Sequence, residues 1–129
     1  YTILNDVTAR DLQRNHGQWF KGKSLDGFCP MGPWIVTRDE IPEPVELEIS
    51  SYVNGELRQR ANTRMMIYKI PRLISIISQG FTLEPGDIIA TGTPAGVGMG
   101  FNPPRLLTAN DRVRIEIEKI GYIENIIQE

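Results

Sequence analysis

The sequence predicts an α+β fold that is mostly β, with short helices, in one domain that spans residues 1–129. Short runs with alternating apolar and polar residues outnumber the segments with helical spacing. The order of these segments does not repeat the strand–helix–strand pattern of a doubly wound sheet. A chain of 129 residues also falls within the usual size of one domain and is long enough to bury one core.

Composition narrows the function classes. The chain is 40% hydrophobic and 23% charged, with a net charge of -2, which is ordinary for a globular protein and argues against nucleic-acid binding. Apolar runs are far shorter than the roughly 20 residues of a membrane span. A single cysteine, Cys29, excludes an internal disulfide and favours a reducing, cytoplasmic location. Because the chain opens at Tyr1 rather than Met, we expect a truncated start.

The first third should hold a strand, a helix and a long irregular stretch. Residues 1–4 are β-prone, and residues 8–15 read as a polar helix with Thr8 as its N-cap and His16-Gly17 at its end. Residues 18–33 are rich in glycine, proline and aromatic residues. A stretch of that length is either functional or held by packing.

The middle of the chain predicts a hairpin followed by a helix. Residues 45–53 alternate as a half-exposed strand, with a slip in the pattern at Tyr52. Asn54-Gly55 predicts a type I′ turn, and residues 56–60 form the return strand. Residues 70–79 have helical spacing, with Pro71 in the first turn and Gly80 just past the end.

The last part predicts three strands and a glycine-rich loop. Residues 87–90 read as a short buried strand, and the loop 91–100 should open at its carboxyl end. Residues 113–118 alternate cleanly, Gly121 interrupts the pattern, and residues 122–127 form a last strand.

Five residues are the candidates for chemistry. Asp6 ends the first strand, where a carboxylate faces whatever cleft the strand end meets. Arg10 and Gln13 share one helix face and could bind a small anion together; a surface helix with solvated charges is the alternative. Lys23 lies among glycines and could donate to a developing enolate, or be an ordinary solvated lysine. Thr93 offers a hydroxyl from a loop whose glycines allow close approach to a ligand; a flexible hairpin loop is the alternative.

Other polar residues are weaker candidates. His16 should cap or flank a helix end, and Cys29 should be a small packing residue. The pairs Glu46/Glu48 and Glu116/Glu118 lie on the polar faces of strands, where solvated charge is expected. Gly22-Lys23-Ser24 lacks the upstream glycine of a phosphate-binding loop.

Four motifs together resemble the fumarylacetoacetate hydrolase family over essentially the whole chain. They are residues 1–13, residues 22–24 with 29–33, residues 53–59 and residues 83–98. The branch that looks most similar contains the bacterial 2-hydroxyhepta-2,4-diene-1,7-dioate isomerases and acylpyruvate hydrolases. The resemblance implies a mixed β-roll or sandwich of the family's C-terminal type, an apparently missing N-terminal portion, and a homodimer.

The resemblance also implies an activity and roles for residues. Family members act on small β-diketo or enol diacids, by isomerisation, decarboxylation or C–C hydrolysis through an enolate that Mg²⁺, Mn²⁺ or Ca²⁺ stabilises. Asp6 matches one of three metal-binding carboxylates, and the other two belong to an upstream Glu-x-Glu strand. Arg10 and Gln13 match the residues that bind the substrate's anionic group, Lys23 the active-site lysine, and Thr93 the threonine that contacts a substrate oxygen. The alternatives are a non-catalytic binding or assembly module on the same scaffold, and oxaloacetate decarboxylase or tautomerase activity.

Overall fold

The structure is a computed structural model that describes residues 1–128. Its regular elements are short and are joined by long irregular connections. In chain order they are β1 (Ile3–Leu4), α1 (Arg10–Asn15), α2 (Phe20–Lys23), β2 (Met31–Gly32), β3 (Glu48–Val53), β4 (Glu56–Asn62), α3 (Ile70–Ile77), β5 (Arg112–Ile117) and β6 (Gly121–Ile126). There are also two 3₁₀ turns. Thr63–Met65 precedes α3, and Gly98–Gly100 lies in the long connection between α3 and β5.

The strands form two antiparallel sheets. β1 pairs with β2, and the other four strands form one sheet in the order β4-β3-β5-β6. Neighbouring strands in both sheets run antiparallel, as hairpin connections allow. The α+β, mostly-β prediction is therefore confirmed, with short helices beside the sheets.

The β3–β4 hairpin turns at the predicted dipeptide. Asn54 and Gly55 have φ angles of 53° and 82°, as a type I′ turn requires, so this prediction is confirmed. Asn54 also donates through Nδ2 to Asp111 at 2.7 Å and accepts from the Arg112 backbone N–H at 2.9 Å. The turn is thereby fastened to the start of β5.

The predicted slip in β3 is wrong in its location. Leu47 and Ser51 face inward and are buried, and Tyr52 lies on the outer face, so β3 keeps its alternation. The irregularity lies in β4 instead: Ser51 pairs with Gln59 and Tyr52 with Leu57, which leaves Arg58 as an extra residue. The sequence pattern misled because a polar residue, Ser51, occupies a buried position.

The core lies against the inner face of the four-stranded sheet. Two residues, Ile3 and Ile41, are fully buried. Their neighbours in the core are Val36, Leu47, Val113, Ile115 and Ile120. The inward positions of β5 thus follow the predicted alternation, and the core joins the short β1 strand to the large sheet.

Three local predictions differ from the structure. The first helix begins at Arg10 with Ala9 as its N-cap, so Thr8 is not the cap. Residues 87–90 pair with no strand in the part of the chain that the structure describes, and Ile88 is 59% exposed. α3 begins as predicted, with Pro71 in its first turn. Its C-cap is Ser78, so the cap lies one residue earlier than predicted and Gly80 lies two residues beyond it.

Candidate active site

The two N-terminal helices pack through a glycine. The backbone N–H of Ala9 donates to the Gly22 carbonyl at 2.8 Å, which links the start of α1 to α2. A Cβ atom on Gly22 would lie 2.9 Å from the Ala9 oxygen and 2.9 Å from the Gln13 nitrogen. Because real Cβ atoms do not approach so closely, glycine is required at this contact. α2 therefore carries Lys23 to a fixed place beside α1.

Lys23, Asp6 and Thr8 form one cluster, which we call the lysine cluster. The Lys23 ammonium is ion-paired with Asp6 Oδ2 and donates to the Thr8 hydroxyl at 3.2 Å. The Thr8 hydroxyl in turn donates to the Asp6 backbone carbonyl at 3.2 Å. These contacts explain why Thr8 does not cap α1: its hydroxyl is used beside Asp6. Within the long stretch 18–33, α2 packs against α1 through Gly22, and the same helix carries Lys23.

Arg10 and Gln13 contact each other on one face of α1, as their spacing predicts. Arg10 donates from Nη1 to the Gln13 amide oxygen at 3.0 Å, and both side chains are half-buried. Because that oxygen is occupied, the pair presents N–H donors to a ligand. Such a surface suits a carboxylate or another small anion.

Thr93 belongs to a separate group, in which it contacts Gln59 of β4. The amide nitrogen of Gln59 donates to the Thr93 hydroxyl at 2.9 Å and to the Pro94 carbonyl at 2.8 Å. Gly96 lies against the same strand, where an added Cβ would be 2.1 Å from the Arg58 carbonyl oxygen. The glycine that was expected to admit a ligand therefore lets residues 91–100, the glycine loop, approach β4.

The predicted residues thus fall into three groups: the lysine cluster, the Arg10–Gln13 pair and Thr93. Within residues 1–128, no hydrogen bond or ion pair links Thr93 to the lysine cluster. Two shallow hollows, of about 310 and 410 Å³, lie on the outer face of the four-stranded sheet and include none of the five candidates. Arginine and glutamate side chains that line the first hollow pair with each other.

Asp6 fits a divalent cation as one ligand of several. Its carboxylate is 43% exposed, and the ion pair with Lys23 engages Oδ2, which leaves Oδ1 for another partner. Carboxylate oxygen is the donor that Mg²⁺, Mn²⁺ and Ca²⁺ prefer. The described residues hold no group of three or more His, Cys, Asp or Glu side chains that could complete a site.

The weaker candidates have structural roles. His16 is the C-cap of α1, where its backbone N–H donates to the Leu12 carbonyl at 3.2 Å, as expected of a residue at a helix end. Cys29 is a half-buried free thiol. Glu48 accepts from Asn62 at 2.9 Å, and Glu116 pairs with Arg114. Both glutamates therefore make ordinary contacts with polar neighbours on the strands.

Comparison with known proteins decides the family. The model of the fumarylacetoacetate hydrolase C-terminal domain matches residues 1–128. The chain belongs to the fumarylacetoacetate hydrolase family. Membership confirms the β-roll or sandwich prediction, since the fold also superposes on solved members of this family.

Relatives include several named enzymes. The chain is 56% identical over 127 residues to the oxaloacetate tautomerase YisK of Bacillus subtilis, which covers 98% of this chain and 42% of that protein. A fumarylacetoacetate hydrolase structure from Exiguobacterium antarcticum is 51% identical with a TM-score of 0.95, covering 99% of this chain and 46% of that one. A 2-hydroxyhepta-2,4-diene-1,7-dioate isomerase from Mycobacterium marinum is 47% identical with a TM-score of 0.87, covering 99% and 47%.

The chain spans less than half the length of these relatives. Within residues 1–128, no helix is long and apolar enough to cross a membrane. Sequence reasoning had missed two residues of the site, Gln59 and Gly22. Both lie inside family motifs, but their roles are visible only in three dimensions. Gly22 allows α2 to pack closely on α1, and the Gln59 amide donates to Thr93.

Proposed function

We propose that this chain supplies part of the active site of a divalent-metal-dependent enzyme that acts on small keto or enol diacids. The observation that carries the proposal is the Lys23 ammonium, bound between the Asp6 carboxylate and the Thr8 hydroxyl. This arrangement places a positive charge, a carboxylate oxygen suited to a cation and a hydroxyl in one partly exposed cluster. Enolate chemistry needs these groups together, because negative charge develops on an oxygen of the substrate.

Lys23 is suited to stabilise that oxygen. An ammonium group has three N–H donors, and Asp6 and Thr8 take two of them. The third donor remains for the substrate oxygen that gains charge as the enol or enolate forms. Because the two contacts hold the ammonium in place, little reorganisation is needed when charge develops.

Arg10 and Gln13 are suited to bind a carboxylate of the substrate. Their mutual hydrogen bond fixes the Arg10 guanidinium beside the Gln13 amide, and each side chain retains N–H groups for a ligand. A planar guanidinium binds a carboxylate through paired hydrogen bonds. Bound in this way, a diacid would be held by one carboxylate on α1, the helix that packs against the helix carrying Lys23.

Asp6 would hold the cation together with ligands from outside the described residues. When bound, a divalent cation polarises a carbonyl oxygen and makes the neighbouring C–H or C–C bond easier to break. The Thr93 hydroxyl, carried by the glycine loop, would donate to a second substrate oxygen. We assign Lys23 and Thr93 the catalytic roles, and Asp6 the role of metal ligand.

The substrate class follows from the relatives. Both the tautomerase and the isomerase carry names that describe a diacid with an enol or keto group. Oxaloacetate fits this description and is the substrate we propose to test first. A cytoplasmic location and a homodimer remain predictions from the sequence and the family.

The test uses the full-length protein that contains this chain. Oxaloacetate enol absorbs in the ultraviolet, and its loss is followed with Mg²⁺ and with EDTA. We expect Mg²⁺-dependent acceleration, and product analysis separates tautomerisation from decarboxylation. If the protein accelerates neither oxaloacetate nor acylpyruvate reactions with any of Mg²⁺, Mn²⁺ or Ca²⁺, the scaffold serves binding or assembly instead.

A further inference from the structure

The side chain of Gln59 uses all of its hydrogen-bonding groups inside the protein. Its amide oxygen accepts from the Ser51 hydroxyl at 2.9 Å. Its two N–H groups go to the Thr93 hydroxyl at 2.9 Å and the Pro94 carbonyl at 2.8 Å. Ser51 is itself buried, with 8% exposure, so the network begins inside the sheet and ends at the exposed Thr93.

The Pro94 carbonyl determines which way the Gln59 amide faces. A carbonyl oxygen can accept hydrogen bonds but cannot donate them. If the amide were flipped, its oxygen would face the Pro94 oxygen at hydrogen-bond distance, and the two acceptors would repel each other. The amide nitrogen therefore faces Pro94 and Thr93, and the Ser51 hydroxyl must donate to the amide oxygen.

This orientation controls the hydroxyl of Thr93. An amide N–H is a donor, so the Thr93 oxygen must accept from it. The single hydrogen of the Thr93 hydroxyl is then left to point away from Gln59. A flipped or substituted amide could instead accept that hydrogen and remove it from the ligand side.

Further contacts, within the glycine loop and just after it, hold the loop against β4. Arg58, the extra residue in β4, directs its carbonyl at Gly96, which leaves no room for a side chain there. Further along, the guanidinium groups of Arg58 and Arg105 both contact the Phe101 ring, at 5.4 and 5.2 Å from its centroid. Arg105 also forms two hydrogen bonds to Glu56, at 2.7 and 2.6 Å. The glycine loop is thus held on β4 where Gln59 reaches it.

We propose that Gln59 is a positioning residue, which fixes the Thr93 hydroxyl as a hydrogen-bond donor toward a substrate oxygen. The inference rests on the proposed function, in which Thr93 contacts the substrate. It predicts that Gln59 acts on the reaction through Thr93. Removing Gln59 should therefore matter little once the Thr93 hydroxyl is gone.

The test compares Gln59→Leu, Thr93→Val and the double variant in the full-length protein, with Mg²⁺ and oxaloacetate enol. We expect each single change to lower kcat by about 10- to 100-fold, with a smaller effect on KM. The double variant should be within about 3-fold of Thr93→Val, because both changes remove one effect. Arg60→Gln is the matched control, since this exposed neighbour on β4 contacts only Glu48 among the ion-paired residues described.

A second variant reports the direction of the hydrogen bond. Gln59→Glu is nearly isosteric, but the ionised carboxyl group has no donor for Pro94 and accepts from Thr93. Its kcat relative to wild type should be low near neutral pH and should rise as the pH falls and the introduced carboxyl gains a proton. Folding of each variant is checked by circular dichroism and thermal unfolding.

Distinct results overturn the two proposals. If wild type is active, then multiplicative losses in the double variant, or a ratio for Gln59→Glu that does not change with pH, would overturn the role of Gln59 alone. If wild type shows no metal-dependent turnover of oxaloacetate or acylpyruvate, the proposed function fails, and the role of Gln59 fails with it.

Discussion

Gly22→Ala should displace Lys23 without touching it. In the structure an added Cβ would meet the Ala9 oxygen and the Gln13 nitrogen at 2.9 Å, and the Gln13 Cβ at 3.0 Å. Comfortable contacts between such atoms begin near roughly 3.5 Å. α2 must therefore move away from α1 by about 0.5 Å, since two of the three obstructing atoms belong to the backbone.

The displacement sets the expected losses. Overpacking of this kind typically costs about 1–3 kcal/mol of unfolding free energy. A misplacement of about 1 Å at an active site can cost about 100-fold in rate, so half of it corresponds to roughly 10-fold in kcat/KM. The two effects should appear together, because the same helix carries the packing contact and Lys23.

Gly80→Ala is the matched control for this prediction. Nothing lies within 4 Å of a Cβ placed on Gly80, so its stability should change by no more than about 0.5 kcal/mol. Urea unfolding measures stability, and the ultraviolet assay with oxaloacetate enol and Mg²⁺ measures turnover. If Gly22→Ala unfolds like wild type and retains turnover within about 2-fold, α2 does not position Lys23 as argued.

Three further predictions address the site and the sheet. Lys23→Gln should lower kcat by about 100-fold or more, because one donor to the developing oxyanion is lost; activity near wild type would exclude this role. Residues 1–129 by themselves should bind Mg²⁺ more weakly than micromolar, since Asp6 supplies one carboxylate, and a micromolar calorimetric isotherm would contradict this. Asp111→Asn should lower the unfolding free energy by about 1 kcal/mol at neutral pH, since Asp111 accepts from Thr108 and Asn54. The Thr108 backbone N–H and the Asn54 amide hold the pKa of Asp111 below its ordinary 3.8. The extra stability of wild type over Asp111→Asn is therefore full above pH 3.8 and is lost as the pH falls through the lower pKa of the folded state. Urea titrations at about pH 7 and about pH 2 would measure the difference in unfolding free energy between wild type and Asp111→Asn. A difference that persists in acid would contradict the role given to the Asp111 carboxylate.

Local signals predicted much of the fold. The Asn54-Gly55 turn and the alternation in β5 depend on short-range geometry, which neighbouring residues determine. Residues 87–90 show the limit of this reasoning. Their apolar pattern indicates burial, but a strand also needs a partner, and none of residues 1–128 supplies one.

The candidate site was predictable in its parts and not in their arrangement. Helical spacing brings Arg10 and Gln13 together, and the structure shows that contact. The pairing of Lys23 with Asp6 spans seventeen positions and depends on a backbone contact at Gly22, for which no periodic pattern exists. Thr8 was misjudged because a threonine before a helix is a common N-cap, whereas here its hydroxyl serves Asp6 and Lys23.

The extra residue in β4 divides the hairpin into two zones with different tolerance to change. Between Arg58 and the turn, length could be altered by evolution or by an engineer while the rest of the sheet keeps its register. On the other side, the residues from Gln59 onward pair continuously with β3, from Ser51 back to Glu48. Deleting Arg58 would make the ladder regular without exchanging its faces, but it would remove the carbonyl that lies against Gly96, so this position limits where new loops can be grafted onto the scaffold.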